Sequence, residues 1–115
     1  MRTRQEVINF CLSLDGTYED YPFHDSNWTV MRHKDNKKMF AAICERLGNI
    51  WVNVKCDPSL AHMLRSSFEA VVPAYHMNKW HWNSIILNGT VPPDEIKNLI
   101  YDSYGLTKSK KRGKK

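Results

Sequence analysis

The stretch Ile50-Trp51-Val52-Asn53-Val54-Lys55-Cys56-Asp57-Pro58 decides the fold. Its first seven residues alternate. Ile50, Val52, Val54 and Cys56 point to one side of an extended chain, and Trp51, Asn53 and Lys55 point to the other. Asp57-Pro58 then changes the element: aspartate is a strong N-cap, and proline suits the first helical position because its missing N–H would have no intrahelical partner anyway. Leu60, Ala61, Leu64 and Phe68 give the new helix an apolar face.

Upstream, Leu47-Gly48-Asn49 reads as a turn, and Lys38 to Cys44 is a nearly continuous apolar run, as expected of a strand covered on both faces. Lys34-Asp35-Asn36-Lys37 is a second turn, and Trp28 to His33 is rich in strand-forming types. Thr17 to Phe23 is a weaker, acidic strand in which Pro22 argues for an edge position. Short turns between these segments predict an antiparallel meander. Residues 3–14 read as a helix, with Thr3 and Glu6 at capping-box spacing, Val7, Ile8, Cys11, Leu12 and Leu14 as its stripe, and Asp15-Gly16 as its stop.

Downstream, Val71 and Val72 suggest a short extended piece before Pro73, the segment 74–82 has no regular period, and Asn83 to Leu87 reads as a final strand ended by Asn88-Gly89. Pro92-Pro93-Asp94-Glu95 opens a third helix whose acids suit the positive end of the helix dipole. Ile96, Leu99, Ile100 and Tyr104 are its buried stripe, with Gly105 as the expected cap. Strands cluster rather than alternating with helices. The expectation is therefore an α+β domain, an antiparallel sheet with three helices packed mainly on one face, spanning residues 1–107.

The remaining residues, 108–115, carry Lys108, Lys110, Lys111, Arg112, Lys114 and Lys115 with no apolar side chain, and are expected to form a disordered basic tail. The net charge of +5 resides there: the other eleven Lys and Arg face twelve Asp and Glu, so residues 1–107 sum to −1. No apolar run approaches the ~20 residues of a membrane helix, and no apolar stretch behind Arg2 and Arg4 resembles a signal peptide. Cys11, Cys44 and Cys56 are odd in number, widely spaced and set in apolar surroundings, so they read as buried free thiols. These features predict a cytoplasmic chain in a reducing compartment, with no membrane partner.

No motif identifies a reaction. The five glycines are isolated, so there is no phosphate-cradling loop or dinucleotide fingerprint. No cysteine pair has zinc spacing. His76 and His81 are five apart, about 140° around a helix or on opposite faces of a strand, which does not aim two imidazoles at one metal. No metal and no cofactor are expected, and no residue is assigned as catalytic.

The densest chemistry lies in Tyr75-His76-Met77-Asn78-Lys79-Trp80-His81-Trp82. Read as an exposed platform, its rings stack on bases and Lys79 meets phosphate. Read as structure, Tyr75, Met77 and Trp82 fill the core while His76 and Asn78 hydrogen-bond an irregular backbone. By residue physics alone the structural reading outweighs the functional one about two to one, because most aromatic rings in small domains are core.

This run, without Trp80, resembles the signature of the YjbR/MmcQ family. So do Val52-Asn53-Val54-Lys55-Cys56-Asp57-Pro58, the segment from Cys11 to Phe23, Lys38-Met39-Phe40-Ala41 and Val91-Pro92. The resemblance covers nearly all of residues 3–107 in order. It implies a YjbR-like domain related to the CyaY-like, frataxin-type architecture, a family likened to a double-wing DNA-binding domain, with no agreed catalytic residues. The chain departs from it at Trp80, where a polar or basic residue is expected. A frataxin-type iron function would call for an acidic first helix, and Glu6 is the only acid among residues 2–14.

The function expected from these readings is a non-catalytic DNA- or RNA-binding or regulatory module with nonspecific electrostatic contacts. Its candidate contacts are Lys55, Lys79, Trp80, His81, Lys108, Lys110, Lys111, Arg112, Lys114 and Lys115, with Trp51 beside Lys55 on the outward sheet face. The alternative is a protein-interaction module anchored on exposed Trp51 and Trp80. An enzyme using His76 or His81 as acid or base is the third reading.

Overall fold

The computed structural model describes residues 1–109; Lys110, Lys111, Arg112, Lys114 and Lys115 lie outside the described residues. Three helices and six strands follow in the order α1 (Arg4–Leu12), β1 (Thr17–Asp20), β2 (Thr29–His33), β3 (Met39–Arg46), β4 (Asn49–Lys55), α2 (Pro58–Ser67), β5 (Val71–Pro73), β6 (Trp82–Ile86) and α3 (Pro93–Thr107). All strands join one antiparallel sheet of order β1-β2-β3-β4-β6-β5. The first four form the expected meander. The chain then crosses through α2 to the far edge at β5 and returns as β6, which inserts between β5 and β4.

The alternation of β4 assigns the two faces. Val52 and Val54 pair with Ile43 and Ala41 on β3 and with Ile85 and Asn83 on β6. Together with Met31, Val71 and Cys56 they meet Val7, Ile8 and Cys11 of α1, Ala61 and Leu64 of α2, and Ile96, Leu99, Ile100 and Tyr104 of α3 in one buried cluster. All three helices therefore cover this inner face. The outer face carries Val30, Met39, Ala42, Cys44, Trp51, Asn53 and Ser84, and loops rather than helices lie over it.

The local signals act as their chemistry requires. Thr3 accepts from the Glu6 N–H, and the Glu6 carboxylate accepts from the Thr3 N–H at 3.0 Å, closing the capping box. The Asp57 carboxylate accepts from the Ser59 N–H at 2.9 Å. Between β3 and β4 the Arg46–Asn49 pair is closed by the two-residue loop Leu47-Gly48, both at positive φ (52° and 82°), the mirror-image turn that matches strand twist.

Some boundaries differ from the sequence reading. α1 ends at Leu12 with Ser13 as its cap, so Leu12 is exposed rather than part of the stripe, and Gly16 serves the following turn at φ 68°. β1 stops at Asp20, before Pro22, and is indeed an edge strand. α3 continues through Gly105 to Thr107, because Thr107 is buried and hydrogen-bonded beyond it, so Gly105 is interior and not a cap. Cys11, Cys44 and Cys56 are buried and free, as expected.

Candidate functional site

One end of the sheet gathers the cations. Antiparallel pairing places the end of β2, the start of β3, the end of β4 and the start of β6 side by side. The β2–β3 turn brings Lys34, Lys37 and Lys38, all exposed, to this end. Lys37 adopts φ 63°, and its N–H donates to the His33 carbonyl at 2.9 Å, closing the turn. Lys55 follows on the neighbouring strand, paired with Trp82 of β6. At about 4.8 Å per strand, these groups form a strip roughly 15 Å across.

The next loop carries Lys79, Trp80 and His81. All three are exposed, and Trp80 retains 76% of its accessible surface. The loop is nonetheless held. The Asn78 carboxamide oxygen accepts from the Trp80 N–H, and the Asn78 carbonyl accepts from His81 and Trp82 N–H groups. Cys56 N–H donates to the His81 carbonyl at 2.7 Å, tying the loop to β4. Arg65 of α2 donates one guanidinium N–H to the Lys79 carbonyl and another to Asn83 Oδ1.

The C-terminus of α3 reaches the same end. Asn36 of the β2–β3 turn donates its amide to the Thr107 carbonyl at 2.9 Å, and His33 Nε2 lies 2.8 Å from the Thr107 hydroxyl. The point from which Lys108 and the following cationic sequence depart is thus bonded to the turn that carries Lys34, Lys37 and Lys38. Lys108 is exposed, with Nζ 5.5 Å from the Tyr104 ring centre. Asp15, Asp35, Asp57 and Asp102 share this end, so the six described lysines there exceed the nearby acids only modestly.

The structure therefore brings Lys55, Lys79, Trp80, His81 and Lys108 to one end of the molecule. It separates Trp51 from them. Trp51 is only 7% exposed, contrary to its expected outward role as an anchor. Its cover is a loop and not a helix: the Tyr75 ring lies edge-on 6.3 Å away, Arg46 lies over both rings, and the indole N–H donates to the Arg46 carbonyl at 3.0 Å. Tyr75, Met77 and Trp82 are half-buried, which places them between the two readings of the 75–82 run. Asn78 does organise the backbone, whereas His76 is exposed and rests 4.1 Å from the Tyr75 ring centre. His81 is exposed too, and among the described residues no cluster of three His, Cys, Asp or Glu side chains could hold a metal.

Sequence reasoning missed Lys34, Lys37 and Lys38. Their density in a short turn was legible, but the turn read only as a solvated connection. Nothing local reveals that α3 ends against it.

A search of protein-family models matches the YjbR model over residues 12–106. "Uncharacterized protein YyaQ" of Bacillus subtilis is 39% identical over 119 residues, covering 94% of this chain and all of its own length. "Uncharacterized protein YjbR" of Escherichia coli K12 is 29% identical, over 89% of this chain and 84% of its own. Among solved structures, Deinococcus radiodurans protein DR2400, a DUF419 domain, superposes with a TM-score of 0.84 at 29% identity, over 92% of this chain and 78% of its own. A Pseudomonas syringae protein gives 0.82 at 32% identity, over 92% and 99%. With the family model matched over most of the domain and a relative 39% identical over 94% of this chain, the chain belongs to the YjbR family.

Proposed function

We propose that this protein is a non-catalytic nucleic-acid-binding module whose contact surface is the lysine-bearing end of the sheet. The observation that carries the reading is the junction of Thr107 with His33 and Asn36, which joins the cationic C-terminal sequence to the lysine-bearing β2–β3 turn. Lys55 and the exposed Lys79-Trp80-His81 loop continue the surface across adjacent strands. Lysines spaced along a strip neutralise successive phosphates, and an exposed indole stacks on an unpaired base without reading sequence. Residues 1–107 sum to −1 with Lys34, Lys37, Lys38, Lys55 and Lys79 counted, so the rest of the domain carries an excess of acids and phosphate is directed to this end.

The test is a salt titration of binding to duplex and single-stranded DNA, comparing the full chain with residues 1–107. Nonspecific affinity of order 10⁻⁴–10⁻⁶ M near physiological salt is expected, with log K falling by about 0.9 per phosphate neutralised for each decade of salt on duplex. Truncation weakens binding and flattens the slope, and Lys34→Glu with Lys37→Glu weakens it further. Equal binding by the truncated chain removes the tail from the interface. Absence of binding by the full chain to DNA and RNA at low salt removes the proposal.

The exposure of Trp80 supports a second reading, a protein-interaction surface anchored on that ring alone. Partner capture that survives nuclease and high salt but is lost in Trp80→Ala supports it over the first.

A further inference from the structure

The outer face of the sheet holds a cleft of about 380 Å³ that the cationic end does not use. Val30, Met39 and Ala42 of β2 and β3 form its floor. The connection from β1 to β2 supplies Phe23, Asp25 and Trp28 on one side, and the segment after β5 supplies Tyr75, His76 and Met77 on the other. The two loops meet: the Trp28 and Tyr75 rings are nearly parallel, 12° apart, with centres separated by 6.1 Å.

Three features give the cleft a chemical preference. Its size falls at the lower end of the range of small-molecule sites, roughly 300–1,000 Å³. Its lining is apolar and aromatic apart from Asp25 and His76, and no Lys or Arg is part of it. Arg46 lies over the Trp51 and Tyr75 rings and does not line the cleft. Asp25 is exposed; one carboxylate oxygen accepts from the Asn27 N–H at 2.9 Å, which fixes the group at the rim. His76 holds the opposite rim at φ 65°, a left-handed conformation that costs a non-glycine residue about 1 kcal/mol and keeps the imidazole against Tyr75.

We infer that this cleft is a binding site for a small, flat aromatic compound carrying a protonated amine. The ring lies on the Val30, Met39 and Ala42 floor against Trp28 and Tyr75, and the ammonium meets the Asp25 carboxylate. A phosphate or carboxylate ligand is disfavoured, because the fixed negative group at the rim has no cation beside it in the lining.

The experiment uses the full chain and four probes. Tryptamine carries ring and charge, indole the ring alone, indole-3-acetate the ring with the opposite charge, and ethylammonium the charge alone. Binding is followed by NMR shifts of the Met39, Met77 and Ala42 methyl groups. Tryptamine is expected to bind at least tenfold tighter than indole, with indole-3-acetate and ethylammonium weaker still. Asp25→Asn keeps an oxygen for the Asn27 N–H and is expected to erase the tryptamine–indole difference without moving the unfolding midpoint. Ala42→Leu fills the floor and is expected to weaken both ring probes. If Ala42→Leu does not fold, Met77→Ala serves instead, with reduced affinity for both. The inference is overturned if indole-3-acetate binds as well as tryptamine, if the shifts fall outside the cleft, or if no probe binds at millimolar concentration.

Discussion

His33 and Thr107, 74 residues apart, meet through a 2.8 Å contact between imidazole Nε2 and hydroxyl Oγ1. The Thr107 hydroxyl also lies 2.8 Å from the Ser103 carbonyl, which accepts its proton. His33 Nε2 then acts as the donor to Thr107, a role that the Nε2–H tautomer and the imidazolium both fill. Phe40 and Tyr104 pack against the ring, with centres 5.2 and 4.8 Å away.

Burial holds the His33 pKa below its ordinary value; Asp35 opposes this shift and Lys108 reinforces it. The unfolded chain therefore binds this proton more readily than the folded one. Stability is greatest above about pH 6.5 and falls as pH drops from there through the lower folded value. Urea unfolding between pH 8 and pH 5 should show this decline, and His33→Gln should flatten it. An equal acid slope in wild type and variant would show that another group is responsible.

The outer face is fastened by a buried relay. Ser84 donates its hydroxyl to Asn53 Oδ1, Tyr75 N–H donates to Ser84 Oγ, and Asn53 Nδ2 donates to the Tyr75 carbonyl at 2.9 Å. Asn53→Ala strands two buried partners and should cost about 1–3 kcal/mol. The same variant should loosen Tyr75 over Trp51, raising tryptophan accessibility to an acrylamide quencher. A change below 0.5 kcal/mol (roughly the level of a neutral surface substitution) would mean that water replaces the relay.

Arg65 ties α2 to the loop that bears Lys79 and Trp80 through one guanidinium bond to the Lys79 carbonyl, and to β6 through a second to Asn83 Oδ1. Lysine offers one compact ammonium in place of the planar fork, so Arg65→Lys should not restore what Arg65→Ala loses. Both variants should lower the unfolding midpoint and increase amide exchange at residues 79–81. Unchanged exchange there would show that Asn78 alone holds the loop.

Leu47 is 80% exposed and sits at φ 52° in the two-residue β3–β4 turn. A branched apolar side chain suits neither condition, whereas asparagine followed by glycine is the preferred pair for this turn. Leu47→Asn should raise stability by about 0.5–1 kcal/mol, measured as a higher urea midpoint at unchanged slope. A loss of stability would indicate that Leu47 makes contacts in solution.

Burial pushes the Cys11 thiol up to about 12, and Cys44 and Cys56 are also raised by desolvation. Thiolates are the reactive species. At pH 8 the native chain should resist thiol labelling, while the unfolded chain labels at three sites. Prompt native labelling of any of them would contradict their burial.

Much of this protein was legible before any coordinates. The capping box at Thr3 and Glu6, the Asp57 cap and the two-sided alternation of β4 are local, fixed by bonds within a few residues. Burial of the three cysteines followed from their apolar neighbours. Alternation assigns residues to faces, but it cannot say what covers a face. Trp51 points outward as the pattern requires, and Tyr75, returning across the sheet, covers it together with Arg46. Likewise nothing near β5 or β6 specifies that the later strand inserts beside β4. That order is decided by pairing across distant sequence, where Val52 meets both Ile43 and Ile85. The lysines at 34, 37, 38, 55, 79 and 108 are visible as charges in the sequence. They share one end of the molecule because strand register and the His33–Thr107 contact put them there, and those are tertiary facts.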